Sequence, residues 1–76
     1  MKVTKGLAKP QTRKVIAFYA DNELVFRDCN SDKYFVLGSQ NAIYEGSAKF
    51  EDYLESTRNY PGFIAFYEGD TINIQL

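Results

Sequence analysis

Ten carboxylates, six tyrosines, nine Lys or Arg side chains and one thiol are the groups of this 76-residue chain that could do chemistry, and histidine is absent. Without histidine the commonest general base is missing, and the usual His-bearing tetrahedral zinc sets cannot be assembled. Cys29 has no second cysteine for an intramolecular disulfide, and it reads as a small residue at a strand end. The sequence contains no glycine-rich phosphate loop, no metal-ligand spacing and no Ser, His and Asp set. The expectation is a non-catalytic protein with no cofactor and no metal.

Charge points instead to partners. Lys2, Lys5, Lys9, Arg13 and Lys14 are basic within a stretch that has no acid, which leaves four basic against ten acidic residues in 15–76 and a net charge of -6 there. A basic arm, residues 1–13, flexible or loosely docked, is expected to precede a single domain, 14–76. One-signed arms find nucleic acid or acidic surfaces. With no secretory apolar region and no apolar run of about 18 residues, neither export nor membrane spanning is expected, and the default location is the cytoplasm.

The elements that must position these groups follow from period and turn signals. A hydrophobic content of 45 %, with six Phe and six Tyr, suffices for one small core. "VIAFYADNELVFRD" reads as a hairpin turning at Ala20 to Glu23, and "KYFVLG" as a third strand ended by Gly38. "SQNAIYEG" stays open between a fourth strand and a connection. "SAKFEDYLESTRN" is the one helix, with Ser47 as candidate N-cap and Phe50, Tyr53, Leu54 and Thr57 on one face. Pro61 and Gly62 suit the centre of a type II turn. The final "FIAFYEGDTINIQL" parallels the first hairpin, repeating its tetrapeptide IAFY. The fold class is therefore α+β: an antiparallel sheet of about five strands, in the order β-β-β-α-β-β, with one helix packed on one face.

Under that helix the two-residue strand period is expected to gather Ile16, Phe18, Leu24, Phe26, Phe35, Leu37, Ile64, Phe66, Ile72, Ile74 and Leu76. The opposite face would carry Val15, Ala17, Tyr19, Val25, Phe63, Ala65 and Tyr67, with Arg27 and Tyr34. Contiguous apolar and tyrosine-bearing surface marks partner contacts, unless the N-terminal arm folds across it or the sheet curls over it. A second candidate surface is the outer face of the helix, with Glu51, Asp52 and Glu55, joined by Glu45, Glu68 and Asp70 into an acidic row resembling phosphates.

Two functions follow. The first is a protein-protein interaction module that uses Tyr19, Arg27, Tyr34 and Tyr67 or the acidic helix. In its format, short, α+β, acidic in the body and free of catalytic residues, the chain resembles the small phage-encoded inhibitors of host machinery, including anti-CRISPR proteins. That resemblance implies an inhibitor of a larger complex, such as one that handles nucleic acid. The alternative is nucleic-acid binding by Lys2, Lys5, Lys9, Arg13 and Lys14, with tyrosines stacking on bases. "PGFIAFYEG" does not supply the RNA-recognition platform, because Phe63 and Phe66 are three apart and point to opposite faces. A homodimer through edge-strand pairing is compatible with both.

Overall fold

The computed structural model describes residues 2–6, 14–38 and 42–75. Its elements are β1 (Lys2–Gly6), β2 (Val15–Ala20), β3 (Glu23–Arg27), β4 (Tyr34–Leu37), β5 (Ile43–Glu45), α1 (Phe50–Thr57), β6 (Ile64–Tyr67) and β7 (Thr71–Gln75). Five strands form one antiparallel sheet in the order β5-β4-β3-β2-β6, and β1 pairs with β7 in a separate two-stranded ribbon. This is the α+β fold with an antiparallel sheet of five strands and one helix. The open segment "SQNAIYEG" supplies the strand β5 at Ile43–Glu45, and its residues 39–41 lie outside the described residues.

The first hairpin sets the register. Asp21 and Asn22 have φ of 51° and 62°, the left-handed pair of a two-residue type I′ turn, for which Asp and Asn are suited. Ala20 therefore pairs with Glu23, Phe18 with Val25, and Ala17 with Phe26. Directly opposed residues share a face. Phe18 thus goes with Val25, whereas Leu24 and Phe26 go with Tyr19 and Ala17.

This corrects the expected division of the two faces. Below α1, Phe18, Ala20, Val25 and Val36 pack with Phe50 and Leu54, and Val15, Tyr34, Tyr53 and Phe63 complete the cluster. Phe18 sits at its centre, 1 % exposed, with ring contacts to Phe50, Tyr53 and Phe63 at 5.5 to 5.6 Å. On the other face Ala17, Leu24 and Phe66 pack with Val3 of β1, flanked by Tyr19, Phe26, Leu37, Ile64 and Ile72. β2 divides as expected, with Phe18 under the helix and Ala17 and Tyr19 on the other face, but Val25 and Tyr34 lie under the helix and Leu24, Phe26, Leu37, Ile64 and Phe66 on the ribbon side, the reverse of the expectation.

The repeated tetrapeptide has a structural answer in the β2–β6 pairing. The two IAFY copies lie antiparallel, with Ala17 opposite Phe66, Phe18 opposite Ala65 and Tyr19 opposite Ile64. Each phenylalanine faces the alanine of the other copy, so each face of this strand pair receives one large and one small side chain. An irregularity between Val15 and Ala17 ends the match.

The second copy does not form the expected hairpin. β6 pairs with β2, and the turn through Glu68 and Gly69 (φ 92°) sends β7 across to β1. Asp70, whose side chain is fully buried, accepts the Tyr67 N–H at 2.9 Å and lies 3.4 Å from Lys5 Nζ. Lys5 also donates to the Ala65 carbonyl at 2.7 Å. These contacts join the ribbon to the sheet.

The helix presents Phe50, Leu54 and Thr57 to the core, as its period predicts, but it begins at Phe50 and has no side-chain cap. Ser47 is not the N-cap. The loop before β4 does the capping: the Asp32 carbonyl accepts the Phe50 N–H at 2.7 Å. Gly62, at φ 78°, completes the Tyr60 to Phe63 turn as its sequence predicts.

Phe18→Ala is expected to cost about 3–5 kcal/mol in urea unfolding, because it empties the centre of the helix-side core. Ala65→Gly, in the same strand pair, should cost far less. Equal losses would contradict the central place of Phe18.

Candidate partner-binding edge

Neither cover reaches the end of the sheet. Among the described residues β5 pairs only with β4, and all three of its residues are exposed, Ile43 at 65 % and Tyr44 at 49 %. The backbone alternation fixes what this edge offers. Gly46 N–H donates to the Tyr34 carbonyl at 2.9 Å and Gly38 N–H to the Ala42 carbonyl at 3.0 Å. In an antiparallel ladder, hydrogen-bonded pairs alternate with non-bonded ones, so Tyr44 is bonded to Val36 while Ile43 and Glu45 turn their N–H and C=O groups away from β4. Such a row is a template for a further strand.

A tyrosine-lined shoulder adjoins the edge on the helix side. Tyr44 shares a face with Val36, which packs under α1, and its hydroxyl donates to the Glu23 carboxylate at 2.5 Å. The Tyr34 and Tyr53 rings meet at 4.8 Å. Gly46 makes room for them, since a Cβ there would lie 2.0 Å from the Tyr34 ring. Glu23, by accepting the Tyr44 hydroxyl, is the leading cause that raises Tyr44 above the ordinary tyrosine pKa. Tyr53 is raised chiefly by burial, and then by the charge of Glu23. Exposed Tyr60 stands beyond the helix in the Pro61-Gly62 turn.

The residues expected to form one open face are separated. Tyr19 lies on the ribbon side, half-buried, with its hydroxyl 3.3 Å from Asn22 Oδ1. Arg27 and Tyr34 lie on the helix side. Arg27 donates to the Val15 carbonyl from Nε and Nη2, at 3.3 and 3.2 Å, stacks 4.5 Å over the Phe50 ring and pairs with Glu51. Tyr67 belongs to β6, with Lys5 Nζ 5.0 Å from its ring centre.

The acidic row is also divided. Glu51 is taken up by Arg27, Glu55 pairs with Arg58 at 3.1 Å, and Asp70 is buried, whereas Asp52 and Glu45 are exposed. Of the basic set, Lys5 serves the internal network, Lys2 and Lys14 are exposed, and Lys9 and Arg13 lie outside the described residues. Among the described residues no three His, Cys, Asp or Glu side chains gather as metal ligands.

The sequence reading missed Ile43, Tyr44 and Glu23. The signal for the first two was a β-prone "AIYE" between Gly38 and Gly46; Glu23 needed the hairpin register. Comparison with protein-family models, curated proteins and solved structures finds no match to this chain.

Two predictions test this geometry. Gly46→Ala should destabilise the fold and disturb the Tyr34 ring resonances, because the added methyl has no room unless that ring moves. For Tyr44 and Tyr53, raised folded values mean that stability is fully present below the unfolded value of 10.0 and is lost as pH rises through the folded values. Urea unfolding across that range should show this decline, and Tyr44→Phe should make it shallower; an unchanged profile in the variant would contradict the Tyr44 contribution.

Proposed function

We propose that this protein is a non-catalytic protein-binding module that engages its partner by strand addition at β5. The observation that carries this reading is the edge itself: the outward backbone groups of Ile43 and Glu45, with the exposed Ile43 and Tyr44 side chains on its two faces. Main-chain bonds supply affinity in such a mode, and alternate side chains supply selection. The tyrosines beside the edge suit a contact, because each joins a rigid apolar ring to a polar tip. Occupying a groove of a larger assembly in this way would make the protein an inhibitor without any catalytic group.

The reading moves the binding surface from Tyr19, Arg27 and Tyr67 to β5. It also ranks above nucleic-acid binding, since Lys5, one of the five basic residues of that alternative, is committed to the Asp70 and Ala65 contacts.

Pull-down from source lysate, with and without nuclease, tests the proposal when wild type is run beside Ile43→Pro. Proline there deletes an outward N–H and leaves the β4 bonds in place. A stoichiometric protein that survives nuclease and is lost with Ile43→Pro is the expected result. Capture that vanishes with nuclease would overturn the reading and shift attention to Lys2 and Lys14.

A further inference from the structure

The ribbon is made of the first and last strands, and the five-stranded sheet lies wholly between them. β2 to β6, with α1, occupy one continuous stretch of chain, 15–67, and among the described residues no strand of the sheet pairs with β1 or β7. Lifting the ribbon therefore breaks no ladder of the sheet, and it leaves the helix-side cluster around Phe18 intact. We infer that the β1–β7 ribbon is a detachable cover, which opens as one unit with Lys5 as its catch while β2 to β6 and α1 stay folded.

The grip of the ribbon is of two kinds. Val3, with Ile72 beside it, packs on Ala17, Leu24 and Phe66, an apolar contact without direction. This seat is short, since Ile74, the register partner of Val3, is already 40 % exposed. Lys5 supplies the directional contact. Its ammonium donates to the Ala65 carbonyl at 2.7 Å, lies 3.4 Å from the buried Asp70 carboxylate and stands 5.0 Å from the Tyr67 ring centre. One side chain of β1 thus reaches the outermost strand of the sheet and the turn that leaves it.

A two-stranded ribbon is marginal by itself in water, so its two strands keep their order through the seat and lose it together. On the β7 side the chain leaves the sheet through Gly69, at φ 92°, a residue free to absorb a change of backbone angle. Opening bares Leu24 and Phe66, both fully buried in the closed form, together with Tyr19 and Phe26. The closed ribbon hides this contiguous apolar surface.

Native-state amide exchange of the full chain provides the test, read in wild type, Val36→Ala and Lys5→Met. Val36 belongs to the helix-side cluster, which the open form keeps. Val36→Ala should therefore speed the most protected amides of β2 and β3 at least about tenfold and leave the ribbon amides within about twofold. Lys5→Met keeps an apolar stem and removes the ammonium, and it should speed the ribbon amides at least about tenfold. Ribbon amides that quicken with Val36→Ala as much as those of β2 and β3 would show that the ribbon leaves only on global unfolding, which overturns the inference. Ribbon exchange unmoved by Lys5→Met would overturn Lys5 as the catch. The Val36→Ala comparison decides the matter even if Lys5→Met does not fold, and neither variant touches the β5 edge.

Discussion

The two-residue turn at Asp21 and Asn22 is the constraint on which the remaining arrangement depends. Because the loop is two residues long, every pair in the β2–β3 hairpin joins an even-numbered residue to an odd-numbered one. A register shifted by one residue would send each side chain to the other face. The observed register places Phe18 and Val25 under α1, and Leu24 and Phe26 under the ribbon. β6 then aligns so that Phe66 lies across from Ala17 and Ala65 across from Phe18. Both halves of the core follow from this placement.

Two covers on a five-stranded sheet leave a remainder. The helix clusters with residues of β2, β3 and β4, and β1 of the ribbon with residues of β2, β3 and β6. The ribbon is held to β6 by Lys5, through the Ala65 carbonyl and the buried Asp70. One end of the sheet is thereby tied down, while β5 at the other end has both faces exposed. The asymmetry, and not any single residue, singles out β5. Natural sheets usually protect such an edge with charge, proline or a covering segment. Here Glu45 is the one charge on the strand, and Tyr44 is tethered to Glu23.

Local patterns made much of this legible in the sequence. Strands β2, β3 and β4, the helix stripe of Phe50, Leu54 and Thr57, and the Tyr60 to Phe63 turn are all local features, and each appears as expected. Alternation in β7 holds only in part: Ile72 packs on the core side and Thr71 and Asn73 are exposed, but Ile74, expected in the core, is 40 % exposed, and Leu76 lies outside the described residues. What failed was long-range. Whether β6 pairs with β7 or with β2 is decided by which partner fills the space around Phe18 and Phe66, and a hairpin-like pattern cannot express that choice. The helix cap was hidden for the same reason, since its acceptor is the Asp32 carbonyl of a distant loop. The face assignment failed in β3 on parity, because the turn was located correctly but not counted through to Leu24 and Phe26, and in β6 because the pairing that puts Phe66 opposite Ala17 is long-range.

Residue-resolved amide hydrogen exchange of the isolated protein tests most directly the claim that β5 is an open edge. The Tyr44 N–H, bonded to Val36, should exchange at least about tenfold more slowly than those of Ile43 and Glu45, which face outward. Comparable strong protection at all three would mean that another segment already covers the edge, and would contradict the account.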